Sequence, residues 1–528
     1  MQHAIQPKRK RSDAGVIAAV AAVGILIVLA AFIVIPRLNE TVTPDEPPYW
    51  PTEGWQTALP ETQGIDSDQL ADAILSWREQ DIPIHSLMLI RNDYVVADAS
   101  FYPYDGQAAH DVASITKSVM TTLIAIAADQ GLLSLDDTMV SFFPDRPIAN
   151  LDAQKEAITV RHLVGMTSGL DCVPDRLPNN SVGAMFGSPD FVQYVLDLPM
   201  AWEPGSHFDY CSAAFQPLSA ILQQATGMTA YEFARQNLFE PLGIEDVAWG
   251  SDPQGYFNGY ADLSLHPRDM AKIGLLFLQK GQWEGQQIVS REWAETATAA
   301  HMSSAEQSPN PYGYGWWVDA EKEGVYFAGG RLGQYITIYP DRNMILVTTG
   351  GGFDIAQIEA SLLAALIDEK NPLPANPEGV ARLEAAITDV PQPPAAQPAP
   401  PLPDLARTLT GQTYALDPNP LGLGSVTFEF DDSAEVVVTL GAGDGSGMTV
   451  PISIGLDGLY RFSSVLGDGR PVGLRGQWSD PQTFVVEYNG AIANQHTEVR
   501  FHFQADGVEV TYTDIVNQTS TQFEGRLP

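Results

Sequence analysis

The sequence predicts a mixed α/β chain: an antiparallel sheet flanked by helices with a helical subdomain, followed by an all-β domain. Three observations carry this. Within residues 55–370, strand-like runs stand at both ends and helical periodicity fills the middle, which suits helices laid on an antiparallel sheet. From residue 371 to 404 the composition turns to Pro and Ala, with Pro391-Gln392-Pro393-Pro394 and Pro398-Ala399-Pro400-Pro401, and reads as a semi-rigid linker. From Thr413 onward, alternating runs such as Val426-Thr427-Phe428-Glu429-Phe430 are punctuated by Asp457-Gly458 and Asp506-Gly507, the pattern of an antiparallel sandwich or small barrel over residues 405–528.

Taken in order, the chain begins with Lys8-Arg9-Lys10-Arg11 in a basic tail, residues 1–15, followed by an apolar run from Val16 to Ile35. At about 1.5 Å per residue that run spans about 30 Å, the thickness of a bilayer core. Residues 16–36 are therefore expected to anchor the chain in a membrane, with the basic tail in the cytoplasm and the remainder outside. A cleaved signal peptide is the alternative, but the run exceeds the usual span of roughly 7–15 residues and no clear A-x-A site follows. Residues 37–54, with Pro44, Pro47, Pro48 and Pro51, read as a spacer. Ser67–Glu79 reads as a helix, and Ser86–Ile90 with Tyr94–Ala97 as a hairpin around Arg91-Asn92-Asp93. Phe215–Ala225 forms an amphipathic helix closed by Gly227. Strands return at Gly324–Ala328, Tyr335–Tyr339 and Met344–Thr348, before a helix near Ile355–Ile367. In the last domain Phe501-His502-Phe503 and Val508–Tyr512 alternate as strands, and Gly441–Gly447 reads as a hairpin loop. The 528 residues hold 28 Lys and Arg against 65 Asp and Glu, a formal charge of -37 that argues against a nucleic-acid partner.

Chemistry concentrates in Asp111-Val112-Ala113-Ser114-Ile115-Thr116-Lys117-Ser118. Ser114 and Lys117, three residues apart at the opening of a helix, share one helix face, a hydroxyl beside an amine. The unpaired N–H groups and positive dipole of a helix start steady an oxyanion and favour a neutral Lys117, which can accept the serine proton. Ile115, Val119, Leu123 and Ile126 form the stripe that buries this helix, with Gly131 as its stop. Further along, Trp202-Glu203-Pro204-Gly205-Ser206-His207-Phe208-Asp209-Tyr210-Cys211-Ser212 supplies a Tyr-x-Ser in a turn-rich segment. Gly329-Gly330-Arg331-Leu332-Gly333-Gln334 then leads into a strand, where main chain can approach a substrate closely.

Ser-x-x-Lys, Tyr-x-Ser and a glycine-bearing strand, in that order, resemble the serine beta-lactamase and penicillin-binding-protein superfamily. The wording is nearest its class C-like branch of esterases, D-amino-acid peptidases and small-amide hydrolases. The resemblance covers roughly residues 55–370 and includes Gly131–Asp137, His162–Leu170, Leu238–Ile244 and His266–Ala271. It implies a serine hydrolase acting on an ester or amide through an acyl-enzyme, with a small-molecule ester, amide or peptide as substrate. Ser114 would attack, Lys117 and Tyr210 would share proton transfer, and N–H groups of Ser114 and the Leu332–Gly333 region would hold the oxyanion. No metal or organic cofactor is implied. A D,D-peptidase or beta-lactamase is the alternative within enzymes, and a catalytically silent binding module the alternative outside them.

Two positions depart from the family pattern. Ser212 stands where many members have Asn, so a shorter hydroxyl replaces an amide in substrate binding. Arg331 opens the triplet where lactamases carry Lys-Thr-Gly; a guanidinium forks onto a carboxylate but carries protons poorly, which suggests substrate binding. The chain has two cysteines, Cys172 and Cys211, each adjoining a family segment. A disulfide between them suits an exported protein, two unpaired small hydrophobes being the alternative. His162 and His207 also stand near family segments, where a hydrogen-bonded structural role is expected.

Overall fold

Successive side chains of a strand face opposite sides, and β1 (Ile84–Arg91) is buried along its whole length, so it has to be covered on both faces. The computed structural model describes residues 49–172, 182–304, 307–464, 471–490, 496–515 and 519–527. Five strands join β1: β2 (Tyr94–Ser100), β3 (Trp317–Val318), β4 (Tyr326–Gly330), β5 (Gln334–Tyr339) and β6 (Met344–Gly350). Their spatial order is β2-β1-β6-β5-β4-β3, and every pairing is antiparallel. The expected hairpin and the two later expected strands are present, and β4 begins two residues after the predicted Gly324.

The two faces of the sheet feed separate cores. Leu87 and Leu89 of β1 and Leu346 of β6 pack with Leu70, Ile74 and Trp77 of α1 (Ser67–Glu79). On the other face Met88, Ile90, Ile345 and Val347 join α2 (Ile115–Asp129), α3 (Gln216–Thr226) and α4 (Pro267–Leu278) in a larger core. Beyond these, α5 (Ile355–Ala365) and α6 (Pro377–Asp389) return to the α1 side. Helices thus cover both faces, with the helical subdomain on the α2 side. The stripe expected on α2 understates its burial: every residue from Ile115 to Ala127 is buried, as for a helix enclosed on all sides.

The structure differs from the sequence reading at both stretches read as linkers. Within 371–404 the first half folds as α6, whose Leu383 and Ala386 bury against α1 while Arg382 pairs with Asp68 and Asp72. An amphipathic segment overrides the proline-rich average. Of 37–54 only residues 49–54 are among those described, and they pack on the fold: the Tyr49 hydroxyl donates to the Asp93 carbonyl at 2.8 Å and the Trp50 ring lies 5.1 Å from that of Trp283. The expected anchor, residues 16–36, and its basic tail lie outside the described residues. Among the described residues no helix is long and apolar enough to cross a membrane.

From Thr413 to Arg526, among the described residues, ten strands form a barrel rather than a sandwich. Neighbours pair antiparallel, Leu416 of the first strand lies opposite Gly525 of the last, and a parallel contact of Gly455 with Arg475 ties the other seam. Its interior is filled by Phe428, Phe430, Phe484, Phe501 and Phe503. The barrel sits against the α/β body, where the Tyr460 N–H donates to the Tyr102 hydroxyl at 2.9 Å.

Candidate active site

The short strand His110–Asp111 delivers the chain to a tight turn before α2. Ala113 takes a left-handed φ of 49°, costly for a residue with a Cβ. Three bonds hold it there: the Ala113 N–H donates to the Asp111 carboxylate at 2.8 Å, the Thr116 hydroxyl donates to the Ala113 carbonyl at 2.6 Å, and the Val112 N–H donates to Leu263 at 2.9 Å. Gly330, at the end of β4, lies so close that a Cβ would meet the Val112 carbonyl at 2.5 Å. Glycine is required at that approach.

Ser114 is the N-cap residue of α2 and makes no side-chain capping bond, so its hydroxyl stays available. Lys117, 1% exposed, donates from Nζ to Ser114 Oγ at 2.9 Å and to the Tyr260 carbonyl at 2.8 Å. Burial, and then the positive charge of Arg331, pull its amine down to a pKa of about 7. Its neighbours are a carbonyl, a hydroxyl and aromatic rings, with Nζ 5.2 Å from the Tyr210 ring centre and 5.8 Å from that of Phe215.

Tyr210 reaches the same hydroxyl from the opposite wall. Burial pushes its phenol up to about 12, an effect moderated by a hydrogen bond with the Ser114 side chain. Behind it, its ring stacks on Trp317 at 5.4 Å and meets Tyr312 edge-on at 6.1 Å. The Tyr210 N–H donates to Gln307 Oε1 at 2.8 Å, and the Gln307 amide donates to the Asp209 carboxylate at 2.8 Å. The Cys172–Cys211 disulfide, with its Cα atoms 5.8 Å apart, pins the next residue. The structure therefore brings Ser114, Lys117 and Tyr210 together, a hydroxyl between an amine lowered to about 7 and a phenol raised to about 12.

This geometry belongs with the family model named Beta-lactamase, which the sequence matches over residues 66–355. The chain belongs to the beta-lactamase family. Among its relatives, a 6-aminohexanoate-dimer hydrolase of Paenarthrobacter ureafaciens is 23% identical over 316 residues, covering 55% of this chain and 79% of that protein. Esterase EstB of Burkholderia gladioli is 26% identical over 167 residues, covering 30% and 42% of the two chains. A solved structure of a candidate 6-aminohexanoate-dimer hydrolase from Bacillus anthracis superposes with a TM-score of 0.51 at 18% identity, over 61% of this chain and 89% of that one. Family membership and these hydrolase relatives make the protein a serine hydrolase.

The remaining predicted positions fall around this beta-lactamase-type centre in different ways. Ser212 is half-buried at the N-cap of the turn Ala213–Phe215. Arg331 is exposed in the β4–β5 turn, near enough for its charge to act on Lys117. Leu332 and Gly333 follow it with φ values of 69° and 102°, and a Cβ on Gly333 would meet the Phe353 ring at 2.3 Å. Gly330, rather than these two, is the residue whose backbone abuts the Ser114 turn. His162 Nδ1 accepts the Thr159 N–H at 3.1 Å and His207 stacks on Trp202 at 4.3 Å, both structural contacts.

Sequence reading missed the residues that hold the site from behind. Gln334 donates to the Arg331 carbonyl at 3.1 Å and the Gly350 carbonyl at 2.7 Å, clamping the β4–β5 turn to β6. Its place at the end of the glycine segment Gly329–Gln334 was the available signal. Gln307, Trp317 and the Tyr260 carbonyl carry no local signal, because each is remote in sequence from what it touches.

Proposed function

We propose that the protein hydrolyses a small ester or amide through an acyl-enzyme on Ser114, with Lys117 as the general base and Tyr210 as the proton donor to the leaving group. The observation that carries this reading is the 2.9 Å contact of Ser114 Oγ with a buried lysine lowered to about 7. A neutral amine takes the hydroxyl proton as Oγ attacks the carbonyl, and the charge formed on the carbonyl oxygen falls at the α2 N-terminus. N–H groups of Ser114 and of the β4–β5 turn are proposed to receive it. The phenol, raised to about 12, is protonated throughout the working range and delivers the proton to the departing alcohol or amine. Water then repeats the sequence on the ester of Ser114 and frees the acid. The names of the hydrolase relatives support small esters and amides as substrates, and Arg331 supports an acidic group on them. Outward orientation on a single N-terminal anchor is part of the proposal, supported by Lys8–Arg11 ahead of the run Val16–Ile35.

A fluorophosphonate probe tests the chemistry. The protein should label, the label should map to Ser114, and labelling should fall away below about pH 7 as Lys117 protonates. An intact chain that resists labelling at every pH would return the silent binding module. Protease added outside the cell, once any outer barrier is opened, should release a fragment beginning near residues 38–54. A soluble secreted chain beginning after residue 36 would remove the anchor.

A further inference from the structure

Where the barrel meets the α/β body, a cleft of about 240 Å³ is lined by Asp81, His85 and Tyr102 from the body and Tyr460, Arg475 and Glu487 from the barrel. That volume lies below the roughly 300–1,000 Å³ of pockets for drug-sized ligands and admits only a small molecule. The charged groups divide sharply. Glu487 is already satisfied: Arg475 Nε donates to it at 2.7 Å, His496 Nε2 lies 3.0 Å away, and the Tyr460 hydroxyl donates as well. These three contacts hold its carboxyl down at about 2.

Three groups remain open. The first is His85, 2% exposed. His110 Nδ1 lies 2.8 Å from the Asp111 carbonyl and so carries the proton; with both rings neutral, His110 Nε2 accepts from His85 Nδ1 at 2.9 Å. That leaves His85 Nε2 as a bare acceptor, and among the described residues it takes no hydrogen bond. Burial, then His110 and His496, keep His85 well below the usual imidazole range, so the acceptor persists at neutral pH. The second is the Arg475 guanidinium, 4.6 Å above the Tyr460 ring, whose Nη groups make no hydrogen bond among the described residues. The third is the Asp81 carboxylate, exposed and likewise without a hydrogen bond among the described residues, yet near enough for its charge to act on Arg475.

One acceptor and one anion beside one forked donor call for a ligand with N–H donors and positive charge at one end and a planar oxyanion at the other. We propose that this cleft binds a small free amino acid, its carboxylate on Arg475 and the Tyr102 hydroxyl, its ammonium on Asp81 and His85 Nε2. A carboxylate alone leaves His85 and Asp81 unmet, and an amine alone is repelled by Arg475.

Calorimetric titration of the full chain carrying Ser114→Ala tests this, with the twenty standard amino acids, methylamine and acetate as probes. At least one amino acid should bind with Kd of about 1 mM or tighter, and methylamine and acetate about tenfold more weakly or worse. Asp81→Asn, at an exposed position that does not threaten folding, and Arg475→Gln should each weaken that binding about tenfold. Fluorophosphonate labelling of Ser114 in the unmodified chain should be unaffected by the bound amino acid. The proposal is overturned if no amino acid binds, if acetate or methylamine binds as well, if Asp81→Asn leaves affinity unchanged, or if the amino acid blocks labelling and so occupies the catalytic cleft.

Discussion

The catalytic cleft and the barrel junction bury comparable ionisable groups and treat them in opposite ways. Lys117 has a carbonyl, a hydroxyl and aromatic rings around it and the charge of Arg331 nearby, so the amine falls to about 7. Glu487 lies among Arg475, His496 and Tyr460 and is held ionised down to about 2. Burial desolvates both and pushes each toward neutrality. The difference lies in the partners: a base is made by withholding a counter-ion, and an anchor by supplying several. Lys155 shows that burial and carbonyl contacts alone do not suffice. Its Nζ donates to the Ala149 and Leu196 carbonyls at 2.7 and 2.9 Å and its amine is also lowered by burial, but carbonyls have no proton to surrender.

The comparison breaks first at Lys117. Replacing it with Met removes the base while filling a similar volume, so kcat should fall by about three orders of magnitude or more. Stability at neutral pH should rise by about 2 kcal/mol, because a desolvated amine is gone. The sign follows from linkage: the folded pKa is depressed from 10.5 to about 7, so the wild-type chain gains stability as pH rises through that window and Lys117→Met does not. Thermal melts from pH 7 to 10 decide it. Tyr210→Phe should cost a comparable part of kcat, and the double variant should be little worse than either single change.

On the cleft side, the wall that carries Tyr210 is tied by Cys172–Cys211, 39 residues apart. Replacing both cysteines with Ser should lower stability by about 4 kcal/mol on the chain-entropy model. Denaturant titration of the two forms measures this, and a difference under about 1 kcal/mol would show that the loop is ordered without the bridge.

At the junction, Glu487 should supply stability that is complete above its ordinary pKa of 4.5 and lost as pH falls toward about 2. The full loss is about 3 kcal/mol. Glu487→Gln should abolish this acid-sensitive component while leaving kcat for a neutral ester within about twofold. Urea titrations between pH 5 and 3 would show a flat difference if the three donors around Glu487 contribute nothing. The smallest expected effect sharpens the cleft side: Arg331 helps hold Lys117 down, so Arg331→Ala should move the acid limb of the kcat/KM profile upward, by about half a pH unit. KM for acidic substrates should rise in the same variant, with neutral esters nearly unchanged.

What the sequence determined by itself was whatever depends on neighbours within a few residues. Strand alternation in the barrel, the hairpin turn Arg91-Asn92-Asp93, the stop at Gly227, and the one-turn spacing of Ser114 and Lys117 are local, and each is read from a period or a turn residue. Motif order also pointed to Tyr210, which the structure places beside Ser114 and Lys117. Tertiary structure decided the rest because energy there comes from atoms distant in sequence. That α6 folds against α1 follows from a shared core, which outweighs the prolines around it. The depressed amine of Lys117 requires the burial of its side chain in the closed core and the charge of Arg331, 214 residues away, and the seat of Tyr210 requires Gln307 and Trp317. A motif specifies which atoms are available, whereas desolvation and hydrogen bonding, which set their reactivity, exist only once the chain has closed around them.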